Sequence, residues 1–141
     1  GQTAIYYKGS NKPAHSYDSD RGIGLALLHE GGFVGRRAEN EGTLVTHLLR
    51  VRDDHCAFYL NADAEGGAIQ AELLDAADKV IPGFSRQDCE EINGKGTNLR
   101  VRWKGADGLR QHLRNGPVRL KLYMNKATVY GFRCVRPPRR D

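Results

Sequence analysis

The residues of this chain able to do chemistry fall into a few groups, and none of them spells a reaction. His15 and His29 share a polar region with Asp18, Asp20 and Glu30, so acid–base groups could gather there. A catalytic acid–base pair also needs a defined separation, which spacing along a chain does not supply. His47, His55 and His112 are scattered, and the five histidines match no metal-binding spacing. Cys56, Cys89 and Cys134 form no C-x-x-C pair, which argues against a zinc cluster. Neither a nucleophile elbow nor a phosphate-binding glycine loop is present in the sequence. What remains is binding chemistry. Tyr59 and Tyr123 fall opposite the apolar residues of their runs, where an aromatic ring can stack on a sugar or pack against a partner. Asn61, Asp63 and Glu65 could offer oxygens to a saccharide or to Ca²⁺, although Asn and Asp are equally ordinary turn residues. Arg100, Arg102, Arg119 and Lys121 alternate outward along two runs. As neighbours they would make a patch for an acidic or sulfated glycan; apart, they are a solvated face with counter-charges such as Glu72. No cofactor is expected, Ca²⁺ being the one ion these oxygens could hold.

The elements that must position these groups read as short strands. Phe58, Leu60 and Ala62 point one way and Ala57, Tyr59 and Asn61 the other, the period of a strand with one buried face. After Asp63-Ala64-Glu65-Gly66-Gly67 the alternation resumes with Ile69, Ala71 and Leu73, so the two runs read as a hairpin. A helix over 68–80 is the competing reading, because Ala, Glu and Leu are good helix formers. Asp75 to Lys79 reads as a second reversal, and Val80-Ile81-Pro82-Gly83-Phe84 as a return to the core. Leu99, Val101 and Trp103 alternate with Arg100 and Arg102, which makes Trp103 a core residue before it is a sugar platform. Val118, Leu120, Leu122 and Met124 form a further strand, Asn125-Lys126-Ala127 a turn, and Val129 to Cys134 a closing strand. Upstream, Thr3 to Tyr7, Ile23 to Leu28 and Thr43 to Leu49 read as strands, with Arg36 to Gly42 a polar connection. Leu109 and Leu113, four apart, suggest one helical turn. The total is eight to ten short strands in an all-β antiparallel sandwich of jelly-roll type, with a closed barrel as the competitor.

With 141 residues the chain can bury one real core, so residues 1–141 read as a single β-sandwich domain. No apolar run is long enough to span a bilayer as a helix. The net charge of +5 comes partly from the tail Arg133 to Arg140, and residues 136–141 should be frayed. Acidic residues are interleaved elsewhere, which argues against a nucleic-acid partner. The opening Gly1-Gln2-Thr3 reads as a processed or excised start. Cys56 and Cys134 lie in strand-like runs and suit small buried positions, whereas Cys89 lies in a polar stretch. One disulfide is compatible with an exported protein, its pairing being open.

Several stretches together carry a resemblance: Tyr6-Tyr7-Lys8-Gly9-Ser10-Asn11 with His15; Ile23-Gly24-Leu25-Ala26 through Gly32-Phe33-Val34; and Gly42-Thr43-Leu44-Val45-Thr46. Further on come Leu60-Asn61-Ala62, Gly67, Ile81-Pro82-Gly83-Phe84-Ser85 with Asp88-Cys89, Val101-Arg102-Trp103-Lys104-Gly105 and Pro117-Val118-Arg119-Leu120. In this order, to about Val135, the chain resembles the carboxy-terminal part of bacterial glycoside-hydrolase-like proteins, in which a five-bladed β-propeller is followed by a β-sandwich. The resemblance implies that residues 1–31 are the last strands of a preceding propeller and the rest an accessory sandwich, in an extracellular or periplasmic protein. It also implies a non-catalytic chain, because the catalytic carboxylates of such proteins lie in the propeller. The partners implied are a carbohydrate and a covalently linked catalytic propeller. The role would be glycan binding or support of the neighbour; the alternative is a structural or protein-interaction domain that binds no glycan. The basic tail beyond Val135 has no counterpart in the pattern.

Overall fold

A computed structural model describes residues 1–11, 20–51, 56–105 and 116–137. The expected helical turn at Leu109–Leu113, the residues His15, Asp18, His55 and His112, and the tail from residue 138 lie outside these. The chain is all-β, with seven strands and no helix among the described residues. It divides into two compact units, Gly1–Val34 and Gly35–Asp141.

The first unit is a two-stranded antiparallel ribbon of β1 (Gln2–Ser10) and β2 (Arg21–His29), in register from Gln2↔His29 to Ser10↔Arg21. The Asn11 side-chain amide donates to the Asp20 carboxylate at 3.0 Å, and the Asp20 main-chain N–H donates back to Asn11 Oδ1 at 3.0 Å. Thr3, Ile5, Ala26 and Leu28 share one half-buried face, where the Tyr7 ring lies over Gly24 and fills the space a Cβ would need. The opposite face carries Tyr6, Ile23, Leu25 and Leu27, all exposed, with Ile23 at 83% and Tyr6 at 74%.

The second unit holds the remaining strands: β3 (Arg36–Val45), β4 (Ala57–Asp63), β5 (Ala68–Leu74), β6 (Lys95–Arg100) and β7 (Arg119–Val135). Its organiser is β7, 17 residues long. β3 pairs with it across its middle, β5 with Arg119 to Asn125, and β4 with Thr128 to Val135; β6 then pairs with β4. The sequence suggests a reversal at Asn125-Lys126-Ala127. Instead the chain bends there and runs on, with Lys126 in the left-handed region at φ 45 and a register shift in β3 opposite, between Ala38 and Glu41. The inward residues change parity at that bend, from Leu120, Leu122 and Met124 to Ala127 and Val129, as an inserted residue requires.

That bend explains a second correction. β4 and β5 do not form a hairpin, because each pairs with a different half of β7. The turn between them crosses β7 closely: Gly67 leaves no room for a Cβ, which would overlap the carbonyl oxygens of Asn125 and Lys126. The described residues hold seven strands rather than eight to ten for related reasons. Two expected strands merge into β7, while Val80, Leu49 and Val118 make only single bridges. Conversely, Arg36 to Gly42 is strand despite its polar side chains, because its main chain is paired to β7. The expected reversal at Asp75 to Lys79 is present, with Asp75 Oδ1 accepting from the main-chain N–H groups of Ala77 and Lys79 at 2.8 and 2.9 Å.

Phe58 and Leu60 from β4, Ile69 and Leu73 from β5, Leu120 and Leu122 from β7, and Val101 just past β6 meet in one buried cluster, which gives the unit its sandwich-like construction. Each such side chain contributes about 1.5–3 kcal/mol through burial. Single bridges tie the margins: Ile69↔Ile92 beside β5 and Cys89↔Trp103 beyond β6. Trp103 is a core residue. Its indole N–H donates to the Ala71 carbonyl at 3.0 Å, and its ring meets Phe84 edge-on at 5.3 Å.

Candidate glycan-binding face

Residues that alternate with the core side chains form the outward face, and the two halves of β7 treat them differently. On the first half, Arg119, Lys121 and Tyr123 stand side by side opposite Leu74, Glu72 and Gln70 of β5. The Tyr123 hydroxyl donates to Glu72 Oε1 at 2.7 Å and Lys121 Nζ lies 3.0 Å from the same oxygen. Glu72 is only 6% exposed. Burial pushes its carboxyl up, but the hydrogen bonds from Tyr123 and Lys121, the Lys121 charge and a main-chain hydrogen bond from Arg86 together hold it below the usual value. Lys121 is raised, through its hydrogen bonds to Tyr123 and Glu72. Arg86 Nε donates to Gln70 Oε1 at 3.0 Å, and its guanidinium sits 4.5 Å from the Tyr123 ring centre, with Lys121 Nζ at 4.7 Å. Arg119 Nε is 2.8 Å from Asp78 Oδ1, an ion pair without hydrogen-bond alignment. Here every cation has a protein partner, and the tyrosine ring is already taken up by two cations.

The second half differs. Tyr59 on β4 is in register with Arg100 on β6 and with Arg133 on β7, so one outward row across three strands reads Arg100, Tyr59, Arg133. The Arg133 guanidinium is 5.7 Å from the Tyr59 ring centre. No carboxylate among the described residues pairs with either arginine, and Arg100 Nε is buried without a hydrogen-bond partner. Two residues along the same face, Asn61 stands opposite Gly131. A Cβ at Gly131 would meet nothing within 4 Å, so a bare shelf adjoins the tyrosine. Beyond it, Lys95 Nζ holds Asp63 Oδ2 at 2.8 Å while Asp63 Oδ1 accepts the Glu65 main-chain N–H at 3.2 Å. Both Asp63 oxygens are therefore engaged as in an ordinary turn rather than set out for Ca²⁺.

The eight residues singled out in the sequence are thus divided. Tyr59, Asn61 and Arg100 come together and Asp63 closes their row, while Arg119, Lys121 and Tyr123 belong to the other half. Arg102 lies past the end of β6, exposed, with its carbonyl accepting from Glu90. The single basic patch expected from Arg100, Arg102, Arg119 and Lys121 is not formed, because β4 lies between β6 and β7 and pairs with the half of β7 that does not carry Arg119 and Lys121. Arg133, which the sequence places in the closing strand and at the start of the basic tail but not among the binding candidates, is the residue that completes the row. No group of three His, Cys, Asp or Glu placed to hold a metal occurs among the described residues. No helix of the described residues is long and apolar enough to cross a membrane. No family model, curated protein or solved structure matches the chain.

Proposed function

We propose that this chain is a non-catalytic accessory module that binds an acidic or sulfated glycan on the row Arg100, Tyr59 and Arg133. The observation that carries the reading is two guanidinium groups without carboxylate partners among the described residues, flanking one outward tyrosine beside the open shelf at Gly131. A sugar ring would stack on Tyr59, its sulfate or carboxylate would take the planar N–H forks of the arginines, and Asn61 would meet a hydroxyl. Within an exported carbohydrate-active protein, as the motif resemblance implies, such a module would hold the polymer near a catalytic propeller. Titration of sulfated and neutral oligosaccharides by calorimetry tests this. Binding should favour the sulfated ligand, weaken with salt, and fall at least about tenfold in Tyr59→Ala, the loss of a stack or charged contact worth about 1.4 kcal/mol or more. Gly131→Leu should block binding without unfolding the chain. Equal binding by Gly131→Leu and the parent would refute the site.

A second reading rests on a separate observation, the exposed apolar face of the β1–β2 ribbon. Two strands alone are barely stable in water, and neither edge of this ribbon has a ladder partner among the described residues. A partner that is itself a β-sheet would satisfy open main-chain groups and apolar side chains together, which is the supporting role. Concentration-dependent self-association that disappears in an Ile23→Ser, Leu25→Ser variant favours it; a strictly monomeric chain with silent glycan binding opposes both readings.

A further inference from the structure

Three cysteines are present, and the fold sorts them. Cys89 is buried, its sulfur accepting the Ala71 main-chain N–H at 3.2 Å and its thiol facing the Glu90 carbonyl at 3.3 Å. Burial pushes that thiol up, away from the reactive thiolate form. Cys56 and Cys134 are placed otherwise. Phe58 is the register partner of Cys134, and Cys56 precedes Phe58 by two positions, so all three side chains share the core-facing side of the β4–β7 pair. The two sulfurs lie 2.6 Å apart, although the residues are 78 positions apart in sequence. They sit where an open cleft of 540 Å³, lined among others by Leu48, Val51, Phe132 and Val135, reaches the end of the core. An oxidant could approach through that cleft.

We infer that Cys56 and Cys134 are a disulfide-forming pair that staples the start of β4 to the end of β7, leaving Cys89 as the thiol. Two unbonded sulfurs do not rest this close, and only a small shift separates them from the about 2.05 Å of a covalent bond. The balance is that of thiol–disulfide exchange. One cysteine thiolate attacks a low-molecular-weight or protein disulfide and displaces one of its thiolates. The second cysteine thiolate then attacks the mixed disulfide and displaces the other. The pair loses two protons and two electrons, one Sγ–Sγ bond forms, and the oxidant's S–S bond becomes two thiols. Such a bond persists in an oxidising compartment. It would clamp the strands that carry Tyr59 and Arg133, but it stands on its own geometry whether or not that row binds a glycan.

The test is a peptide map of the full chain after incubation with oxidised glutathione, alkylated under denaturing conditions with and without reductant. Without reductant one cysteine, Cys89, should be alkylated and the peptides containing Cys56 and Cys134 should run as one species, and before alkylation the intact mass should be about 2 Da below that of the trithiol. With reductant all three should be alkylated. Cys89→Ser should keep the link and Cys134→Ser should abolish it. Three alkylated cysteines after oxidation, or a link that includes Cys89, would overturn the assignment. A thermal midpoint that drops on reduction in the parent and not in Cys134→Ser supports the clamp; an unmoved midpoint in the parent overturns it.

Discussion

Replacing Glu72 by Gln should destabilise the fold at neutral pH and do progressively less as the pH is lowered. The carboxylate is almost fully buried and is met at one oxygen by the Tyr123 hydroxyl and the Lys121 ammonium. Glutamine keeps the shape and still accepts from Tyr123, so the substitution chiefly removes the charge that Lys121 faces. A hydrogen bond to a charged group contributes about 1.5–3 kcal/mol. The Lys121 side chain is 27% exposed, so solvent screens part of that, and the expected loss is about 1–2 kcal/mol. For a unit of this size that lowers the melting midpoint by roughly 5–10 °C. The pH dependence has a definite sign. Glu72 in the folded chain titrates below its ordinary 4.5, so its contribution is complete above 4.5 and is lost as pH falls through the folded value. Lys121 is raised above 10.5, so its share is complete below 10.5 and fades as pH rises through the folded value. Parent and variant should therefore converge at both extremes. The single tryptophan, buried Trp103, reports unfolding by fluorescence in urea. A gap between parent and variant equally wide at pH 3 and pH 7, or absent at pH 7, would refute the reasoning.

Leu120 and Leu48 test the core assignment. Leu120→Ala, at a fully buried position, should cost about 2–5 kcal/mol, and Leu48→Ala, at an exposed one, within about 0.5 kcal/mol in the same urea titration. Two adjacent glycines separate lack of space from backbone conformation. Gly66→Ala should cost about 1 kcal/mol, since φ is +76 and the surroundings are empty. Gly67→Ala should cost roughly 3 kcal/mol, because the new Cβ meets carbonyl oxygens that cannot rotate aside. Chemical denaturation measures both, and a reversed order would contradict the crossing of the turn over β7.

Alternation was enough to find the core and not enough to find the site. Phe58, Leu73, Val101 and Leu120 were all legible as inward residues, because parity within a strand needs no knowledge of its neighbours. The strand in place of a helix at residues 68–74 was legible too, from the turn residues around it. Partnership was not. Gly-Gly between two alternating runs signals a hairpin, yet the same glycines serve a turn that leads from one half of β7 to the other. Asn-Lys-Ala looks like a reversal, yet with one residue in the left-handed region it bends a strand that keeps its pairing to β3. Register therefore stayed hidden, and with it Arg133. Nothing near that residue in sequence marks it, because the feature that matters is its place opposite Tyr59.

The two halves of β7 expose similar residue types and meet opposite fates, and the reason lies in the strand beside each. The first half lies against β5, whose outward Glu72, with Asp78 from the following reversal, supplies a carboxylate for each cation. The second half lies against β4, whose outward side chains beside Arg133 are Tyr59 and Asn61, and β4's own carboxylate, Asp63, is held by Lys95. A basic face that has absorbed its counter-charges is fastening; one that has not remains available to an anion from outside. Arg100, Arg119 and Lys121 are all basic, so neighbouring strands, rather than composition, turn Arg119 and Lys121 into braces of the fold. The same logic leaves Arg100 and Arg133, on either side of a tyrosine, without a carboxylate partner among the described residues, and the proposed glycan reading rests on that.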